Sequence, residues 1–465
     1  MDLLIVLSSL AFLMFAAYRG QSVIIFAPLT AMGAVLFMEP AMVAPMFTGL
    51  FMEKLASFLR NFLPVFLLGA LFGKVVEMAG FSVSIAGWVV RLLGRERAVF
   101  SIVSICALLT YGGVSLFVVV FAVYPFAAEL FRNADLPKRL IPATIALGAF
   151  SFTMDALPGT PQIQNMIPTT FFKTTVYAAP RLGCIGALAI LSAGLWYLGN
   201  RCRLAVAAGE GYGEGHTNEP QSTGCARIAP PLVALLPLLV VGLVNRYLSG
   251  AIPEWVGSEV SFLPAVVGKA EPVVLQTKGI VATWAVEGAL LAGILCVFGL
   301  RARAVLGGFA DGCKNAVAGA LLAAMNTASE YGFGAVIAAL PGFLLVSRGL
   351  AAVPNPLINE ALTITSLAGI TGSASGGLGL ALAALGEGFL SSASAAGISP
   401  EVLHRVASMA SGGMDTLPHN GAVITLLSVT GLTHRQAYLD IFAITCIKTL
   451  AVFLVIGVFY ATRLV

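Results

Sequence analysis

The chain has 465 residues, of which 58% are hydrophobic and only 10% charged, with a formal net charge of +4. A water-soluble domain carries about a quarter charged residues, so a soluble protein is excluded, and a charge this small, set by loop arginines, indicates no nucleic-acid partner. Seven scattered cysteines without a CxxC spacing argue against a disulfide framework or a metal site.

Apolar runs of about 17–25 residues, each long enough to span hydrocarbon, recur along the whole length. The expected spans, in chain order, are 2–18, 21–38, 60–78, a broken segment over 139–171, 176–199, 228–246, 280–299, 328–346, a second broken segment over 402–431, and 436–460. Residues 2–18 follow Met-Asp with no basic stretch and are expected to be a retained span, not a cleaved leader. The groups Arg19, Arg91/Arg95/Arg97, Arg132/Lys138/Arg139, Arg201/Arg203/Arg227 and Arg301/Arg303 fit one cytoplasmic side, which puts both termini outside.

Residues 98–131 are apolar yet flanked by basic clusters at both ends, and they are too short for two crossings of about 20 residues each. They predict a re-entrant hairpin with Tyr111-Gly112-Gly113-Val114-Ser115 at its tip. The counterpart is 355–391, with Gly372-Ser373-Ala374-Ser375-Gly376-Gly377 at its tip. Paired glycines inside an apolar helix also serve as packing notches between helices.

Met154-Asp155-Ala156-Leu157-Pro158 recurs as Met414-Asp415-Thr416-Leu417-Pro418. Phe72-Gly73 and Phe333-Gly334, then Gly112-Gly113 and Gly376-Gly377, keep nearly the same spacing. Three collinear pairs predict two related halves, 1–199 and 228–465, joined by a cytoplasmic linker at 200–227. The fold class expected is an all-α polytopic membrane protein of two inverted repeats, each with a re-entrant hairpin and a broken transmembrane helix. Helices broken at matching places in two halves point to a secondary transporter's binding site.

At the first break, Pro158, Gly159 and Pro161 free backbone groups that survive only inside protein or beside water. A helix restarting near Gln162 presents N–H groups and a positive dipole end, an anion site needing no arginine. Thr160, Gln162 and Asn165 add neutral donors there, and His419 and Asn420 do so at the second break. Asp155 and Asp415 fall near mid-membrane, where an acid is a functional candidate. Three roles stay open for them: capping a broken helix, coupling to a proton, or touching substrate. Lys74 and Glu77 stand one turn apart and are read as a structural pair.

The runs Asp155-Ala-Leu-Pro-Gly-Thr-Pro-Gln-Ile-Gln-Asn165, Asn326-Thr-Ala-Ser-Glu330, Ser373-Ala-Ser-Gly-Gly377 and His419-Asn-Gly421 resemble the gluconate permease (GntP) family, over essentially the whole chain. Within it, the chain is most similar to members described as D-β-hydroxybutyrate permeases. The resemblance implies a multi-pass protein of the bacterial inner membrane that imports a small organic anion, with a proton as the usual coupling ion. It also implies the paired-hairpin fold of the ion-transporter superfamily, an elevator-like motion and a homodimer. Gluconate carriers have a His- and Pro-rich run where this chain has Asp155-Ala-Leu-Pro-Gly-Thr-Pro161, which favours a short hydroxy-monocarboxylate such as 3-hydroxybutyrate over a polyol acid.

The expected substrate-binding residues are Gly112, Gly113, Ser115, Thr160, Gln162, Asn165, Ser373, Ser375, Gly376, Gly377, His419 and Asn420. Asp155, Asp415 and Glu330 are expected to couple the ion. No metal and no cofactor beyond that ion is expected. The competing readings are a gluconate symporter, a sodium-coupled dicarboxylate or citrate carrier, a passive channel, and a membrane enzyme built on Ser373 or Ser375 with His419.

Overall fold

The computed structural model describes residues 2–19, 21–93, 97–114, 116–216, 218–219, 229–257, 259–262, 273–277, 280–343, 353–371, 373–418 and 420–465. It is an all-α polytopic membrane protein. Among the described residues, six helices are long and apolar enough to cross a bilayer.

The first half begins with α1 (Asp2–Tyr18), α2 (Val23–Met38) and the long α3 (Met52–Met78). α3 follows a 3-10 turn, a short helix and a π-helical turn over Pro40–Phe51. Next come α4 (Phe81–Leu93) and a helical hairpin, α5 (Ala98–Tyr111) and α6 (Leu116–Asn133). A broken helix follows: α7 (Ile141–Ala149), a single turn at Phe152–Asp155, and α8 (Ile163–Phe172). α9 (Pro180–Ala207) closes this half.

The second half has α10 (Pro231–Val256), α11 (Val281–Leu306) and the long α12 (Phe309–Ala339), then a hairpin of α13 (Pro356–Thr371) and α14 (Ala374–Ala395). Its broken helix is α15 (Pro400–Gly412), a 3-10 turn at Gly413–Thr416, and α16 (Gly421–Thr430), followed by α17 (His434–Thr462). A two-stranded antiparallel sheet, β1 (Glu259–Phe262) with β2 (Val273–Gln276), stands between α10 and α11.

Packing sorts these elements into two groups. Helices α1, α2, α3, α10, α11 and α12 pack on one another, with α3 against α12 as the most intimate pair. The hairpins, the broken helices, α9 and α17 form the other group. Partners also exchange between halves: α2 packs on α12 as α11 packs on α3, and α8 packs on α14 as α16 packs on α6.

Both predicted hairpins and both predicted breaks occur at the residues expected. Several spans are corrected. α3 begins at Met52, not near residue 60, because Glu53, Lys54 and Arg60 depress the hydropathy of a stretch that is helical all the same. The span expected at 328–346 is the C-terminal part of α12, which starts at Phe309. Its N-terminal half, rich in Ala and Gly, puts Ala316, Gly319, Ala320 and Ala323 on the cavity described below. Helix α4 had no span assigned to it.

The linker expected over 200–227 is also corrected. Residues 200–207 continue α9, and the described residues of the segment after it, 208–216 and 218–219, are fastened across the ends of other elements. Glu210 accepts from Arg139 Nε at 2.6 Å and from its Nη2 at 2.7 Å. Glu219 pairs with Lys138 at 2.7 Å and with Arg132, and accepts from the Tyr212 hydroxyl. Asn218 donates to Ser428 O at 2.9 Å, so the strap reaches the end of α16 as well. Arg139 and Arg201 both meet Asp440 of α17.

Partial burial pushes the Glu219 carboxyl up. The hydrogen bond and charge of Lys138, with bonds from Tyr212 and Arg132, outweigh that and hold it below the usual glutamate range. A carboxyl depressed in this way contributes stability above its unfolded pKa and loses it as pH falls through the folded one. The Lys138 side chain is fully buried, so removing its partner leaves a buried charge poorly matched. Glu219→Gln is expected to cost about 1–3 kcal/mol at neutral pH, read as a lowered melting temperature, with the difference from wild type shrinking below about pH 4.

Candidate functional site

Each broken helix has to satisfy the carbonyls it releases inside an apolar interior. At the end of α7, Ser151 donates to Leu147 O and Thr153 to Gly148 O, the latter at 2.8 Å. Lys448 of α17 donates to Phe150 O at the first break and to Gly412 O at the second, so one ammonium closes both. Its Nζ lies 3.5 Å from Asp155 Oδ2. Arg405 of α15 donates to Asp155 O at 3.0 Å, to Asn165 Oδ1 at 3.0 Å and to Ala178 O at 2.8 Å. Beside it, His404 Nδ1 meets Thr174 Oγ1 at 2.6 Å and Nε2 meets Asn165 Oδ1 at 3.1 Å.

Break and hairpin are joined within the first half. Gln162 donates to Thr110 O at 2.8 Å, and the Tyr111 hydroxyl to Pro158 O at 2.9 Å. In the second half, Ser373 caps α14 by accepting from Gly376 N at 3.1 Å, and Asn420 caps α16 by accepting from Ala422 N at 2.7 Å.

Between the two groups of helices lies a cavity of about 1050 Å³. Its mouth carries Gln21, Ser22, Lys74 and Glu77, and its depth is lined by Gln162, Gln164, Glu330, Ser373, Ser375, Asp415 and Asn420. An apolar wall is supplied by Val65, Phe66, Leu116, Met154 and Leu290. Lys74 and Glu77 pair at 2.9 Å, as their spacing predicted. Asp415 accepts from Gln164 Nε2 at 2.6 Å, which links the two breaks across the cavity. Glu330 is 3% exposed, and its Oε2 has no hydrogen-bond partner. Around it, Thr327, Ser373 and Ser375 bring hydroxyl oxygens within 3.3 and 3.4 Å of one another.

Of the expected binding residues, Gly113, Gln162, Ser373, Ser375 and Asn420 line the cavity, as do Glu330 and Asp415 of the coupling set. Others do not. Asn165 is buried, and its amide is used up on Thr160 O, Val176 O and Arg405. Thr160 is fully buried off the lining, its hydroxyl without a partner. Gly112 is a packing notch: a Cβ there would meet Leu238 of α10 at 2.5 Å. Gly377 lets the arms of the second hairpin touch, since a Cβ would strike the Ala368 backbone, and Gly376 makes room for the Glu330 carboxylate. Asp155 is off the lining, caps nothing, and sits between Lys448 and Gly412. Ser115 and His419 lie outside the described residues, and with His419 the enzyme reading's Ser–His pair.

His404 and Arg405 were missed by sequence reasoning. The signal available was a basic pair inside an apolar segment that already held a break. Lys448 was visible as an intramembrane charge, but two of its three partners, Phe150 and Asp155, come from the other end of the chain, Phe150 being 298 positions distant.

No family model matches the chain. It is 56% identical over 474 residues to the uncharacterized transporter YxjC of Bacillus subtilis, spanning 100% of both proteins. The chain belongs to this family of transporters. Among solved structures, MtrF of Neisseria gonorrhoeae, from a class of antimetabolite efflux pumps, aligns at TM-score 0.51 and 13% identity over 88% of this chain and 83% of that one. That likeness shows a shared fold. The YdaH transporter of Alcanivorax borkumensis aligns at TM-score 0.48 and 16% identity, covering 90% and 89%.

In this YxjC relative, the two glycines of the second hairpin predict opposite outcomes. Gly377→Ala puts a methyl into backbone and is expected to cost about 2 kcal/mol or more, read as loss of folded protein in a thermal melt. Gly376→Ala meets only the movable end of Glu330, so it is expected to melt near wild type while transport falls.

Proposed function

We propose that this transporter is a proton-coupled symporter importing a short hydroxy-monocarboxylate, with 3-hydroxybutyrate the best single substrate. The observation that carries the reading is the Glu330 carboxylate: buried, facing the cavity, and with one oxygen unpartnered. A carboxylate that faces the cavity with an oxygen unpartnered can take a proton when the cavity is open. Asp415 is a second acid on the same lining. Protonation of either relieves repulsion of an entering anion, and each ligand then tightens the other.

The lining suits a small amphipathic acid. Amides and hydroxyls of Gln162, Ser373, Ser375 and Asn420 would take the carboxylate and hydroxyl, while Val65, Phe66 and Leu290 would face a methyl end. A polyol acid would leave more polar groups unmatched against that wall. The exchange of packing partners between halves supports an inverted repeat, and the two helix groups flanking the cavity support an elevator-type motion. Membership of the gluconate permease family remains the wider reading, carried by the sequence runs at both breaks. A sodium ion is the rival coupling ion, because Glu330, Thr327, Ser373 and Ser375 offer the hard oxygens it prefers.

The deciding experiment is uptake of labelled D-3-hydroxybutyrate into proteoliposomes, with gluconate and citrate in parallel, under a proton or a sodium gradient. Saturable accumulation of hydroxybutyrate that rises as external pH falls and collapses with a protonophore is expected. Glu330→Gln is expected to bind substrate but lose accumulation by about tenfold or more, with exchange of bound for free substrate retained. Uptake driven by sodium alone, or of gluconate or citrate in place of hydroxybutyrate, would overturn the coupling or the substrate respectively.

A further inference from the structure

An anion has to be drawn into a cavity whose deep lining holds two acids, Glu330 and Asp415, and whose cation, Lys74, stands at the mouth already paired with Glu77. Positive charge does exist behind that lining. Arg405 and Lys448 are 0% and 1% exposed, and neither lines the cavity. All the hydrogen-bond acceptors of Arg405 are neutral: two main-chain oxygens and the Asn165 amide. Lys448 donates to two main-chain oxygens and has Asp155 at 3.5 Å. Behind the lining, then, stand two buried cations and one buried aspartate. The residues next to Arg405's partners, Met154 beside Asp155 and Gln164 beside Asn165, are themselves on the lining, so the uncompensated charge stands one residue back.

The fourth member is Asp415, whose carboxylate faces the cavity from the Gly413–Thr416 turn, directly after the Gly412 oxygen that Lys448 holds. With Asp415 ionised, the four charges cancel. With Asp415 protonated, one positive charge is left, in a medium where it acts over several ångströms. Other titratable groups on elements packed against the Gly413–Thr416 turn include Tyr438 of α17, whose hydroxyl donates to Thr416 O at 3.3 Å, and Asp440 of α17, held by Arg139 and Arg201. They also include His404 of α15, hydrogen-bonded at both nitrogens, and Glu360 of α13, fully buried with neither oxygen hydrogen-bonded. Glu330 faces the cavity from α12.

We infer that Arg405 and Lys448 are the residues that make this cavity select an anion, and that Asp415 and the substrate carboxylate take turns in neutralising the charge they leave over. The inference rests on the symport reading above and assigns its anion selectivity to side chains that never touch the substrate. Asp155 on this view is a fixed counter-charge for Lys448 and not a proton carrier. One proton moves onto the Asp415 carboxylate as one carboxylate anion enters, and both leave together, so the charge behind the lining balances through the cycle; the proton that Glu330 carries under the symport reading is separate from this exchange.

The test is binding of D-3-hydroxybutyrate and of its uncharged amide to purified full-length protein in nanodiscs, by calorimetry or by competition. Lys448→Met and Arg405→Gln are each expected to weaken the carboxylate about tenfold or more relative to the amide, with Arg405→Lys retaining the preference. Because Lys448→Met strands Asp155, the double variant Asp155→Asn/Lys448→Met is included. It restores the wild-type charge sum and is expected to return the carboxylate-to-amide ratio to within about threefold of wild type. Equal weakening of acid and amide in the single variants, or a folded double variant that stays poor for the acid alone, would overturn the inference and leave the symport reading standing. A wild-type protein that binds neither compound would overturn both.

Discussion

A helix that stops inside an apolar interior leaves carbonyl oxygens and amide hydrogens that no bulk water can reach, and both halves of this chain stop one there. Much of the rest of the architecture can be read as the means of satisfying those groups. Hydroxyls of Ser151 and Thr153 turn back onto the last carbonyls of α7, and Asn420 caps the restart of α16. The oxygens left over go to Lys448 and Arg405. Those two residues enter from α17 and α15, so the first break of the N-terminal half is completed by the C-terminal half. The first half therefore depends on the second at the point where the binding site forms.

The cavity follows from that arrangement. Broken helices and hairpin tips supply short polar side chains at its depth, while the long helices α3 and α12 supply its flank. Small residues along α12, from Ala316 through Gly319, Ala320 and Ala323, keep the flank open. Exact placement at the hairpin tip depends on glycines: Gly376 admits the Glu330 carboxylate and Gly377 admits the opposite arm. At the interface between the breaks and α17, buried Asp155, Arg405 and Lys448 are grouped together, where carbonyls and opposite charge lower the cost of keeping them out of water.

Outside that interior, the segment after α9 behaves as structure. Glu210 and Glu219 fasten it to Arg139, Lys138 and Arg132, and Asn218 fastens it to the end of α16. Elements from both halves thereby share one cap on the side rich in arginine.

Composition alone determined that this chain lives in a bilayer, because so few charges cannot clothe a soluble surface. Local pattern located the hairpins and the breaks: Gly112-Gly113 follow the end of α5, Gly376-Gly377 sit in the first turn of α14, and an Asp-x-x-Pro run marks each break. Pattern also found the residues that face the cavity from those interruptions: Gln162, Ser373, Ser375, Asp415 and Asn420. It failed where a residue's role is set by what lies across the fold. Asp155 and Asp415 read alike in sequence, yet one is locked against Lys448 and the other faces the cavity. Asn165 looks like a substrate donor until Arg405 and His404 are seen to hold it. The start of α12 was lost because Asp311 and Lys314, with the small residues among them, depress the hydropathy of a stretch that is helical all the same. What the tertiary structure decided was which charges are spent on each other and which are left over, and that balance depends on contacts between segments hundreds of residues apart.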